Sequence, residues 1–313
     1  MIDIVVLFFL LGLLAGLVRS ELKLPPALYD SLSMVLLLAI GLKGGEGLAQ
    51  QSLLPLLPQL GIVVLLGAVQ TLIAFVVLLS LGRFDRVNAA AIAAHYGSVS
   101  VATFAVGVNW LNARGISFEP QLPIFLAVME VPAILVGIML ARGLGRGTNW
   151  QLIARESFLG KGVVLLLGGM AIGWIAGPEN LTPIRPLFFD LFKGVLAIFL
   201  LEMGLIVARQ TSELRRRGLF VIAFGVIMPG VFAVLGIGCG IAMGFSVGGL
   251  TLLATLAASA SYIAVPATMR LALPEANPGL SLAAVLGVTF PFNILIGIPI
   301  YHWLASMLVG GNS

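Results

Sequence analysis

The sequence predicts an all-α integral membrane protein: ten transmembrane helices forming an inverted five-plus-five repeat, with the fourth and ninth helices broken. Three observations carry this. The 313-residue chain is 60% hydrophobic and 10% charged, with a mean hydropathy of +1.13, whereas soluble domains are roughly a quarter charged. Its apolar runs approach the roughly 20 residues that a helix needs to cross a bilayer core. Related segments recur about 160 residues apart, with a Ser-x-Ser pair deep in an apolar run of each half.

Taken in order, the first span covers 2–18 and opens on Asp3, an acid where a cleaved signal peptide carries positive charge, so it reads as a resident helix. The second, 27–46, follows Pro25-Pro26, and the third, 54–81, stops at Arg83-Phe84-Asp85-Arg86. The fourth and fifth occupy 88–110 and 122–141, ahead of the polar stretch Gly143 to Asn149. The sixth, 160–177, ends at Gly177-Pro178, and the seventh, 187–208, precedes the triplet Arg215-Arg216-Arg217. The last three are 218–243, 247–271 and 280–309, the final two separated by Pro274 to Pro278. The domains are then a first five-helix repeat over 1–145, a cytoplasmic linker over 146–159, and a second, inverted repeat over 160–313.

Basic residues orient these spans. With the N-terminus outside, the cytoplasmic loops and flanks hold Arg19, Lys23, Arg83, Arg86, Arg142, Arg146, Arg155, Lys161, Arg209, Arg215 to Arg217 and Arg270. The other side keeps Lys43, Arg114, Arg185 and Lys193, only 4 of the 17 Lys and Arg. Both termini are therefore expected outside the cytoplasm. Five spans per half, an odd number, insert the second copy upside down. Pro26-Ala-Leu-Tyr-Asp30 aligns with Pro186-Leu-Phe-Phe-Asp190, Gly44 with Gly204, and Ile134-Leu-Val-Gly137-Ile138 with Ile294-Leu-Ile-Gly297-Ile298. The Ser-x-Ser pairs follow with one further residue of shift.

A candidate site lies at those pairs. In the fourth span Gly97-Ser98-Val99-Ser100 interrupts the helical pattern: glycine disfavours helix by about 1 kcal/mol, and serine hydroxyls compete for backbone partners. A half-helix restarting at Ser100, Val101, Ala102 and Thr103 presents free N–H groups and partial positive charge to a small anion. The ninth span offers Ser259-Ala260-Ser261-Tyr262, followed by Pro266, which lacks an N–H, and Thr268. The competing reading is that these small residues serve close helix packing. Matching broken segments in two halves are, however, the pattern of substrate sites in secondary transporters.

Carboxylates inside spans cost several kcal/mol unless paired or cation-bound. Glu130, beside Pro132, is the candidate sodium or proton coupling group, with Glu202, Thr103 and Thr268 as secondary members. His95 has two readings, proton sensor or hydrogen-bonded packing residue. Other chemistries lack their residues. There is no Walker-type phosphate loop, the two histidines, His95 and His302, form no zinc spacing, and the single cysteine, Cys239, permits no internal disulfide. The Arg215–Arg217 triplet reads as a topology determinant and anionic-lipid contact, and nothing suggests nucleic acid or an enzyme.

Several stretches resemble the sodium-dependent bicarbonate transporters, the SbtA-type permeases: Gly41-Leu42-Lys43-Gly44-Gly45, Gly97-Ser98-Val99-Ser100, Val128-Met129-Glu130-Val131-Pro132-Ala133 and Leu201-Glu202-Met203-Gly204-Leu205. The most specific is Pro266-Ala267-Thr268-Met269-Arg270 continuing to Pro274-Glu275-Ala276-Asn277-Pro278. The resemblance implies core and gate domains, elevator-like movement and a homotrimer in a bacterial plasma (inner) membrane. It also implies bicarbonate between the breaks, sodium as the coupling ion with no other cofactor, and a PII-like cytoplasmic regulator as partner. Carried onto this chain, Ser98, Ser100, Ser259 and Ser261 contact the anion, and Glu130 stands where the family has an aspartate. The second break departs from the family's Ser-Ser-Ser-Asp: Ala260 and Tyr262 remove a hydroxyl and a carboxylate. The expected function is sodium-coupled bicarbonate import. Sodium- or proton-coupled transport of another small anion or monocarboxylate, and a non-transporting anion sensor, remain as alternatives.

Overall fold

The computed structural model describes residues 3–49, 56–143 and 150–310, and every regular element within them is helical. α1 (Ile4–Leu17) starts at Asp3, whose carboxylate accepts from the Val5 N–H at 3.1 Å, an N-cap that satisfies one of the helix's free donors. α2 (Pro26–Leu48) and α3 (Leu56–Ser80) follow. The fourth predicted span is two half-helices, α4 (Arg86–Gly97) and α5 (Val101–Asn112), and α6 (Leu122–Arg142) completes the first half. Part of the expected linker is a short helix, α7 (Trp150–Phe158), while the rest of that polar stretch, 144–149, lies outside the described residues.

In the second half α8 (Lys161–Asn180) bends at Gly177, whose φ of 67° suits a residue without Cβ ahead of Pro178. A 3₁₀ turn (Thr182–Ile184) and a π-helical turn (Pro186–Asp190) lead into α9 (Phe192–Arg217), so the seventh helix begins later and ends later than 187–208. α10 (Leu219–Ala242) precedes the ninth span, which is divided into α11 (Val247–Ala257) and α12 (Ala264–Ala272). The last segment comprises α13 (Pro278–Ala284), α14 (Phe290–Phe292) and α15 (Ile298–Gly310), joined by π-helical turns at Val285–Thr289 and Asn293–Gly297.

Among the described residues, seven helical segments are long and apolar enough to cross a membrane: α2, α3, α4 with α5, α6, α8, α10 and the α13–α15 segment. Against the ten expected, α1 has 14 residues, about 21 Å at 1.5 Å per residue, and the ninth span is split into halves of 11 and 9 residues.

The packing is crossed between the halves of the sequence. α1 lies against α9, and α2 against α8; α3 packs on α4 and α6, and α10 packs on α11 and the last segment. Glycines permit the tightest crossings. A Cβ on Gly204 would sit 2.5 Å from the Leu13 N of α1, and a Cβ on Gly45 would sit 2.7 Å from the Trp174 N of α8. Such small-residue contacts are how helices approach closely in a membrane. The broken helices form the centre: Ala89 to Gly97 and Gly248 to Ala257 are buried without interruption. Asp3 ties this centre to the outer pair, because its carboxylate accepts from Asn109 Nδ2 of α5 at 3.0 Å and meets Lys193 Nζ of α9 at 3.7 Å.

Candidate functional site

The two breaks lie side by side at the middle of the fold. After Gly97 the backbone extends through Ser98 and Ser100, each with β-region dihedrals, before α5 begins. Gly97 is required by the neighbouring α3: a Cβ there would lie 2.7 Å from the Gly67 carbonyl oxygen and 3.0 Å from Thr71 Cβ. The second break covers residues 258–263. The carbonyls left free where α11 stops are taken by amide side chains from other segments. Gln70 Nε2 donates to Ala257 O at 2.6 Å, and Asn293 Nδ2 donates to Ala258 O at 2.8 Å. Tyr301 in turn donates its hydroxyl to Asn293 Oδ1 at 2.6 Å.

Direct hydrogen bonds join one break to the other. The Ser100 N–H donates to Ser259 Oγ at 2.8 Å, and the Ser261 N–H donates to the His95 carbonyl at 2.9 Å. The His95 ring returns the contact, its Nδ1 lying 2.5 Å from the Ser261 carbonyl. A carbonyl can only accept, so the proton sits on Nδ1. Of the two readings of His95, the geometry displays the hydrogen-bonded one, and the ring clamps the second break onto the first.

The four serines have unequal roles, although all are at most 3% exposed. Ser259 Oγ donates to Leu256 O at 2.7 Å while accepting from Ser100, so it is bound on both sides. Ser100 Oγ caps α5 by accepting from the Thr103 N–H at 3.2 Å and the Thr103 hydroxyl at 3.0 Å. Ser98 Oγ is buried with no hydrogen-bond partner. Most buried polar atoms in proteins are paired, and an orphan calls for a ligand or a reason. At a shift of 161 residues Ser98 corresponds to Ser259 and Ser100 to Ser261. A symmetric pair would therefore send the Ser261 N–H to Ser98 Oγ, as Ser100 sends its own to Ser259. His95 O takes that N–H instead, which leaves the Ser98 hydroxyl free.

The other candidates are distributed unevenly. Thr103 belongs to the cluster through Ser100. Thr268 donates to its own helix at Ala264 O, 3.2 Å away. Val99 and Ala260 are buried members of the two breaks, while Tyr262 is half-buried; its hydroxyl lies beside the Ser100 side chain but lacks a hydrogen-bond partner. Its ring packs edge-on to Phe290 at 5.8 Å between centroids. Glu130 is 8% exposed on α6, which packs against α3 and α4, and no cation pairs with it among the described residues. Glu202 is on α9, with Oε2 buried and unpartnered.

Gln70, Asn293 and Thr289 were not predicted. Thr289 donates to Gly225 O at 2.8 Å and pairs with the Tyr96 hydroxyl at 2.7 Å, fixing α4 against α10. The available signal was an amide deep in each of two apolar runs, Gln70 in 54–81 and Asn293 in 280–309.

A bundle of long apolar helices around two interrupted ones, with an unpaired hydroxyl at their junction, defines a multi-pass membrane protein of the transport class. A family model described as the Na+-dependent bicarbonate transporter superfamily matches residues 4–306. The chain belongs to that superfamily. A search of curated proteins returned no match.

Proposed function

We propose that the protein is a sodium-coupled symporter that imports bicarbonate across a bacterial inner membrane, both termini outside the cytoplasm. The observation that carries this is the buried, unpartnered Ser98 hydroxyl. It lies at the crossing of the two breaks, two residues before the Ser100 cap where α5 offers its N-terminal N–H groups. A bicarbonate oxygen accepts from Ser98, and Ser100, Ser261 and the first turn of α5 supply further donors. Glu130 and nearby carbonyls hold sodium, whose charge offsets that of the anion and makes joint loading favourable.

Crossed packing supports the inverted repeat. In a ten-span numbering, α1 on α9 pairs spans one and seven, and α2 on α8 pairs spans two and six. Exchanging the halves turns one pair into the other. The same exchange relates α3 on α4 to α10 on α11. In this reading α1, α2, α8 and α9 form the gate, the broken helices and their neighbours form the core, and the core slides elevator-fashion within a homotrimer. A PII-like regulator is a further proposed partner on the cytoplasmic side.

Uptake of labelled bicarbonate into proteoliposomes tests the assignment: uptake is expected only with an inward sodium gradient. Another small anion transported while bicarbonate is inert supports the second reading, which Ala260 and Tyr262 favour because they reshape the second break. Binding without flux under any gradient supports a sensor. For coupling, Glu130→Gln is expected to raise the sodium concentration at half-maximal uptake by about tenfold or more, since a buried carboxylate interacts directly with its cation. Unchanged sodium dependence in that variant removes Glu130 from the cation site.

A further inference from the structure

One crevice in the fold is lined by none of the four serines of the breaks. It has a volume of about 480 Å³ and lies between α2 with the 185–192 segment on one side and α5 with the 117–123 loop on the other. Phe104, Val108 and Asn112, spaced four residues apart, line it from α5. One face of that helix therefore borders the crevice for about 12 Å. Phe104 is one turn beyond the Ser100 cap, so the crevice ends roughly 6 Å along the helix from the first break.

Its ionisable lining among the described residues is Lys43, Glu46 and Arg185. Arg185 Nη1 meets Glu46 Oε1 at 2.8 Å, and its guanidinium also sits 5.0 Å from the Phe189 ring centre. Glu46 is thus neutralised by the arginine. Lys43, one turn away on the same face of α2, has no carboxylate partner among the described residues. The crevice carries one uncompensated positive charge between apolar walls, and low-dielectric walls concentrate such a field on an entering anion.

We propose that this crevice is an anion-capture vestibule, in which Lys43 binds a small monovalent oxyanion before it reaches the serine-bearing breaks. The assignment rests on the transport reading for its cargo, and on the crevice alone for its chemistry. An anionic lipid headgroup offers the same oxyanion chemistry, so uptake is measured in phosphatidylcholine vesicles and repeated after adding phosphatidylglycerol. Sodium is held fixed while ionic strength is varied with choline methanesulfonate. Lys43→Gln is expected to raise the bicarbonate KM by about tenfold with Vmax nearly unchanged, and to abolish the rise of KM with ionic strength seen in the parent. Lys43→Arg is expected to retain both. Phosphatidylglycerol that raises the parent KM without affecting Lys43→Gln identifies a headgroup competing for the same lysine, which also supports the anion site.

A second measurement does not depend on transport. Acylation of Lys43 by a water-soluble N-hydroxysuccinimide ester, followed by peptide mass spectrometry, is expected to slow in sodium bicarbonate relative to sodium methanesulfonate at equal pH and ionic strength. Slowing without any flux leaves the vestibule standing and removes the symporter. A KM that is the same in the parent and Lys43→Gln, or acylation indifferent to bicarbonate, overturns the vestibule.

Discussion

Ser98→Ala is expected to remove anion affinity without lowering stability. A hydrogen bond to a charged partner contributes about 1.5–3 kcal/mol, which corresponds to a rise of roughly tenfold to a hundredfold in the bicarbonate KM. The unliganded protein loses only a hydroxyl that is buried without a partner, so its thermal midpoint in detergent should stay the same or rise. Ser259→Ala is the contrasting case. That hydroxyl bonds to Ser100 N and Leu256 O, and its loss strands buried backbone groups at about 1–3 kcal/mol. The two serines each open a Ser-x-Ser pair yet should separate in experiment, Ser98 affecting binding and Ser259 affecting folding. If Ser98→Ala transports with the parent KM, the orphan hydroxyl is not the anion contact.

That contrast marks how far the sequence was legible. Composition and span length sufficed for an all-helical membrane fold, because a bilayer leaves helices few alternatives. The breaks at Gly97–Ser100 and Ser259–Tyr262 were legible because glycine and clustered hydroxyls stand out against apolar surroundings. The π-helical turns at Val285–Thr289 and Asn293–Gly297 were not. Their residues are as apolar as those of any buried helix, and one extra residue per turn leaves no compositional trace. Yet these turns place Thr289 and Asn293 against the core, where Asn293 supports the end of α11. Partner choice at the serines was equally hidden. Ser98 and Ser259 look alike in sequence, and only three-dimensional contacts show that one is bound and the other free. Lys43 and Glu46 invite pairing by their spacing on α2, but Arg185, distant in sequence, takes the carboxylate.

The free state of Ser98 depends on His95, and this leads to the second large effect. His95 holds the second break twice, through its carbonyl to Ser261 N and through Nδ1 to Ser261 O. His95→Ala removes the ring bond, leaves a buried carbonyl unsatisfied and opens space for a lost side chain. Together these are expected to destabilise the protein by about 3 kcal/mol. They also loosen Ser261, whose N–H can then turn to Ser98 Oγ, the partner that the symmetric arrangement would use. Transport should therefore fall in the protein that remains folded, with the bicarbonate KM rising as it does in Ser98→Ala. His95→Asn supplies a side-chain N–H near the position of Nδ1 and should restore much of both stability and KM. A proton-relay role predicts the opposite for asparagine, which cannot titrate: intact folding with lost activity. Thermal midpoints and uptake kinetics of the two variants, measured side by side, decide whether His95 is a clamp that exposes Ser98 or a group that carries protons.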